Sequence, residues 1–186
     1  QLMLPGLGAA ITDHSDFFDD PYDRIFRSIP YIWRSIFSDD DTTGRQIRDF
    51  HPDIKGTDDK GRSYHALNPD IYWWAHAPFT WEFFRAQELF SPGGLSWRDK
   101  EQLSAETVTW YRRYGVSDRP VPPALGEFWE KFDHVVDNEL ELTPAVSWVL
   151  EPTTNPGPSG RTRLPGPLGL LNRAVDSHNA DLMRVV

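Results

Sequence analysis

Two of the six histidines stand where an imidazole can do chemistry: His51 and His76, as against His14, His65, His134 and His178. His51 shares the i, i+3, i+4, i+7 spacing of Ile47, Phe50 and Ile54, which places it on an apolar helix face. An imidazole surrounded by hydrocarbon stays neutral, and a neutral imidazole is the commonest metal ligand. His76 lies among Tyr72, Trp73, Ala75, Phe79 and Thr80. Three roles are open to it: second ligand, pocket wall, or core histidine bonded to a carbonyl. Cations gather near His51 in sequence, namely Arg24, Arg27, Arg34, Arg45 and Arg48. They suit the acid groups of a bound cofactor, or they pair with Asp13, Asp16, Asp19, Asp20 and Asp23. The run Asp13-His14-Ser15-Asp16 is no catalytic triad, because triads meet in space and not along adjacent positions. It reads as a turn or helix-end cluster.

The elements that must position these residues are helices. Asp20-Pro21 is a capping pair that opens one. Tyr22, Ile25, Phe26, Ile29, Ile32, Trp33, Ile36 and Phe37 give it a broad apolar stripe, with Arg24, Arg27 and Ser28 beside it. Pro30 predicts a kink or break there. A second helix is expected over 43–51, ended by Pro52. Residues 55–66 read as a tight turn or short β-hairpin. Asn68-Pro69-Asp70 caps a third helix, apolar on nearly all sides and so central. Ser96-Trp97-Arg98-Asp99 resembles a capping box opening a helix to Tyr114, with Gly115 as the stop. Further helices are expected over 123–140 and from Thr143-Pro144. Residues 1–12 are apolar but interrupted by Pro5, Gly6 and Gly8, and are expected to form no helix of their own. The reading is one all-α domain over 1–151 with one short hairpin, then a Pro/Gly-rich strap and C-terminal segment over 152–186.

Composition narrows the chemistry. The chain has 186 residues with 28 acidic against 19 basic groups, a formal net charge of -9, which disfavours nucleic acid as a partner. There is no cysteine, so disulfides, zinc thiolates, iron–sulfur clusters and covalently attached haem are excluded. A b-type haem is compatible, since it needs only one histidine. No apolar run reaches the ~18–20 residues of a membrane span. Gly-rich phosphate loops, His-Glu-x-x-His and paired Glu-x-x-His motifs are missing.

The order and spacing of several short motifs resemble a known family. Asp13-His14-Ser15-Asp16-Phe17, Asp20-Pro21 and Arg24-Ile25-Phe26-Arg27-Ser28 are similar to the opening of the DUF2236 domain. That domain is shared by latex-clearing rubber oxygenases and the mycophenolic-acid-pathway oxygenase MpaB. Arg48-Asp49-Phe50-His51, then Gly56, Gly61, Tyr64, Ala66, Pro69 and Trp74-Ala75-His76-Ala77, resemble its second block. The resemblance spans most of residues 7–145. It implies an all-helical domain around haem b and oxidative cleavage of carbon–carbon double bonds in an apolar, isoprenoid-like substrate by O2. It implies His51 as the iron ligand and Arg24, Arg27 and Ser28 as the polar motif near the haem. Arg48, Lys55 and His76 fall on further cofactor-side positions. Ser28 stands where the family has Thr, and Pro52 where it has a helix former.

The expectation is therefore a haem-dependent oxygenase in the cytoplasm, extended N-terminally in nature or covered at that edge by a protein partner. The alternative is a non-catalytic helical subunit of a larger complex that keeps the same fold.

Overall fold

The computed structural model describes residues 1–150. The domain division expected at 151 and the Pro/Gly-rich strap lie outside the described residues. Within them seven helices run α1 (Pro5–His14), α2 (Pro21–Phe37), α3 (Thr42–Asp49), α4 (Pro69–Phe90), α5 (Trp97–Arg113), α6 (Leu125–Asn138) and α7 (Pro144–Leu150). A hairpin of β1 (Lys55–Thr57) and β2 (Ser63–His65) sits between α3 and α4. It is antiparallel, with Gly56 opposite Tyr64. The domain is all-α with one short hairpin, as the sequence implies.

The caps behave as their residue types require. Asp20 accepts from the backbone N–H of Asp23 at the start of α2, and Asn68 accepts from that of Asp70 at α4. Ser96 and Asp99 exchange both bonds of a capping box at α5. Gly115, at φ 67°, takes the left-handed turn that ends that helix region. The central α4 buries Tyr72, Trp73, Trp74, His76, Ala77 and Phe84. Its rings pack on Phe128 and Phe132 of α6 and on Tyr111 and Tyr114 at the end of α5.

Three expectations are corrected. Residues 5–14 do form a helix, because Pro5 occupies its first turn, where no N–H is needed. Gly6 and Gly8 act there as close-packing positions. A Cβ on Gly6 would lie 2.8 Å from Ile71 Cδ1, and one on Gly8 2.8 Å from Thr143 Oγ1. Of the two outcomes expected at Pro30, a kink or a break, the break does not occur, and α2 runs through it. α3 ends at Asp49, so His51 lies just past the helix and not within it. The stripe of α2 also sits differently from a core-facing stripe. Of its described side chains, Ile25, Phe26, Ile29, Trp33 and Phe37 are exposed, while Ile32 and Ile36 pack on the core.

α2 and α3 are both tied to α5. Arg113 donates to the carbonyls of Ser35 and Ile36 at 3.0 and 2.8 Å, satisfying two acceptors that the last turn of α2 cannot use. Trp110 Nε1 donates to Ser35 Oγ at 2.8 Å. Gly44 of α3 meets the backbone of Arg113 so closely that a Cβ would lie 2.6 Å from its carbonyl carbon. Gly44→Ala is therefore expected to destabilise the domain by about 1–3 kcal/mol. Gly126→Ala, where a Cβ meets nothing within 4 Å, is expected to be neutral or stabilising by up to about 1 kcal/mol. Urea unfolding midpoints of the two variants check this.

Candidate active site

His51 owes its orientation to the end of α3. The last carbonyls of a helix lack intrahelical partners. The Ile47 carbonyl there accepts the Phe50 backbone N–H at 3.2 Å and lies 2.7 Å from His51 Nδ1. A carbonyl can only accept, so Nδ1 carries the proton and Nε2 carries the lone pair. Tyr72 of α4 meets the imidazole edge-on, ring centroids 5.9 Å apart. Burial lowers the His51 pKa, which keeps the ring neutral at pH 7; the bond to Ile47 works the other way, and the Arg24 charge lowers it further.

His51 lines a cavity of about 650 Å³ bounded by α2, the end of α3, α4 and Tyr114. Its walls are largely apolar, with Ile32, Ile47, Ile54, Ile71 and Phe79 among them. Volume and lining are those of a small-molecule site. A second chamber of about 440 Å³ shares Arg24, Arg27 and His51 with it and is bounded on its far side by His14, Ser15 and Asp16.

The polar side of α2 faces this space. Arg24 and Ser28, four residues apart, line the cavity and are hydrogen-bonded to each other. Arg24 forms no ion pair with any described carboxylate. Arg27, also on the cavity rim, is held by Asp23 at 2.6 Å and by Asp16. His76 lines the cavity floor, and its Nε2 donates to the carbonyl of Thr107 at 3.1 Å. Its Nδ1 is buried without a partner, and Trp110 packs on its ring at 4.4 Å. Burial pulls its pKa down to about 4. Arg48 and Lys55 are not brought to the cavity. Arg48 pairs with Asp49 at 2.7 Å and faces Gly115, while Lys55 is exposed on β1 opposite His65. Tyr31, Tyr72, Tyr114 and Leu7 also line the cavity, although the sequence reading did not single them out as site residues. For Tyr31 a signal existed, since it stands three residues after Ser28 and seven after Arg24, on one helix face.

The family model described as ER-bound oxygenase mpaB/B'/rubber oxygenase, catalytic domain, matches residues 1–185. The chain belongs to this oxygenase family. Searches of curated proteins and of solved structures find no significant match.

The residues of this oxygenase domain fit a haem. A histidine with Nδ1 anchored and Nε2 carrying its lone pair is the donor such an iron takes. The apolar walls suit a porphyrin face, and Arg24 is a cation without a carboxylate partner among the described residues. Among the described residues no three His, Asp or Glu side chains come together as a metal site. A porphyrin supplies its own four nitrogens and needs only one such ligand.

The buried His76 gives the oxygenase domain a measurable pH response. Its folded pKa of about 4 lies below the ordinary value of 6.5, so the unfolded chain binds the extra proton between those values. The contribution is fully present above pH 6.5 and is lost as pH falls towards 4, by roughly 3 kcal/mol in all. Chemical denaturation at pH 7 and pH 4.5 is expected to show a smaller loss of stability for His76→Phe than for the wild type.

Proposed function

We propose that this chain binds haem b through His51 Nε2 and uses O2 to cleave a carbon–carbon double bond in an apolar, isoprenoid-like substrate. The observation that carries the reading is the bond from His51 Nδ1 to the Ile47 carbonyl, which fixes the tautomer a metal ligand needs. Bound haem supplies the oxygen chemistry.

The residues of the chain supply binding, orientation and exclusion of water. Arg24, without an acid partner among the described residues, would hold a propionate, and Ser28 holds the guanidinium in place through their hydrogen bond. Arg27 is committed to Asp16 and Asp23 and closes the rim without binding the cofactor directly. Tyr72 packs on the imidazole and limits its rotation. His76 stays neutral and forms part of the floor, where an imidazolium would be costly beside an apolar ligand. Arg48 and Lys55 act outside the cavity, Arg48 by fastening the end of α3 towards Gly115.

No described helix is long and apolar enough to cross a membrane. Residence in the cytoplasm belongs to the same proposal, and cell fractionation tests it. The exposed α2 stripe supports a second reading, a non-catalytic subunit that packs on a partner protein. A colourless, folded protein that takes up no added haem would favour that reading.

Haem titration followed in the Soret region separates the two. His51→Ala is expected to abolish stoichiometric haem, while His65→Ala, whose ring bonds the Pro52 carbonyl outside the cavity, keeps it. Arg24→Ala is expected to weaken haem binding at least about tenfold, and Arg27→Ala by less than about threefold. Full haem retention in His51→Ala would overturn the assignment.

A further inference from the structure

The cavity that holds His51 has a floor and a mouth. Tyr72, His76 and Tyr114 are buried and form its floor. Of the residues lining it, Arg27, Tyr31 and Phe50 are the exposed ones, so they mark where it opens to solvent. Arg27 is fastened by two carboxylates. Among the described residues, Tyr31 and Phe50 make their one ring contact with each other. Tyr31 comes from α2 and Phe50 from the residue that caps α3. Their rings meet edge to face, centroids 5.4 Å apart at 88°. Each remains well exposed, Tyr31 at 39% and Phe50 at 58%.

Two large rings in water at a cavity mouth are costly unless they cover something apolar. Here they cover the entrance to a largely apolar chamber. The Tyr31 hydroxyl makes no hydrogen bond to a described residue, so nothing polar holds that ring shut. Edge-to-face contact between exposed rings is weak and directional, which lets the pair part by side-chain rotation without moving either helix. Arg27, the third exposed residue of the rim, is paired with Asp16 and Asp23.

We propose that Tyr31 and Phe50 form an aromatic gate that sets the cross-section of the ligand entering the cavity, admitting narrow open-chain hydrocarbons and holding back wide ring systems. The inference rests on the proposed function, in which the apolar substrate reaches haem held at His51 through this cavity. Both gating groups are aromatic rings with no charge, so the barrier they set is chiefly one of width. Phe50 directly precedes His51, so a chain passing the rings arrives beside that imidazole.

The test uses two alcohols with the same ten-carbon isoprenoid skeleton count, open-chain geraniol and bicyclic borneol. Their binding to the full chain with haem added is followed by tryptophan fluorescence. Wild-type protein is expected to prefer geraniol at least about tenfold. Phe50→Ala and Tyr31→Ala are expected to bring the two ligands within about threefold of each other, mainly by improving borneol. Tyr31→Phe, which keeps the ring, retains the preference. Trp81→Ala, an exposed aromatic that does not line the cavity, also retains it. Both gate positions are exposed, so the melting temperatures of these variants should stay near that of the wild type. Unchanged discrimination in Phe50→Ala and Tyr31→Ala overturns the gate, as does loss of discrimination in Tyr31→Phe or in Trp81→Ala. Haem stoichiometry is read on the same samples. A wild type that takes up no haem but keeps the fluorescence preference would refute the haem reading while leaving the gate standing.

Discussion

The site depends on one carbonyl. α3 stops at Asp49, and the carbonyl of Ile47, which accepts the Phe50 backbone N–H at 3.2 Å, has a second lone pair that accepts a hydrogen bond from His51 Nδ1. That bond does two things at once. It gives a helix-end acceptor its second hydrogen bond, and it fixes which imidazole nitrogen carries the lone pair. Were α3 to continue as a helix through His51, Ile47 O would accept the His51 backbone N–H instead. The backbone N–H of His51 in fact bonds to Arg48 O at 2.9 Å, the tighter turn that ends the helix. Pro52 suits this ending, since the residue before a proline disfavours helical backbone. A feature that looks like a departure from the family pattern is thus consistent with the way the imidazole is held.

The remaining architecture keeps that helix end in place. Gly44 lets α3 approach the backbone of α5, and Arg113 of α5 reaches back to the last carbonyls of α2. α4 closes the floor with Tyr72 and His76, one helical turn apart on one face. The result is a chamber whose polar groups come from α2 and the α3 terminus and whose bulk is aromatic and aliphatic. The division suits catalysis by a cofactor, where the protein binds, orients and excludes water.

Much of this was legible in the residues. Asp20, Asn68 and the Ser96–Asp99 pair announce three helix starts by chemistry that depends only on near neighbours. Ile47, Phe50, His51 and Ile54 all line the cavity, although α3 ends at Asp49 and the last three reach it from the turn that follows and not from a continued helix face. What the sequence could not convey depended on distant contacts. Gly6 and Gly8 look like helix breakers until Ile71 and Thr143 are seen packed against them. The stripe on α2 looks like a core face, yet the opposite side of that helix, with Arg24, Ser28 and Tyr31, is the one turned to the cavity. Periodicity reveals that a helix has two faces, and only its neighbours decide which one is inside. Lys55 and Arg48 show the same limit: they are near His51 in sequence, but the hairpin and the α3 terminus carry them elsewhere.

The central claim is that His51 is held neutral with its proton on Nδ1. The most direct measurement is the nitrogen-15 long-range correlation spectrum of the histidine rings at pH 7, with His51 assigned by its absence in His51→Ala. The account predicts a protonated, pyrrole-type Nδ1 and an unprotonated, pyridine-type Nε2 for His51, and perturbation of that Nε2 signal when haem is added. A His51 ring that is doubly protonated at pH 7, or that carries its single proton on Nε2, would contradict it.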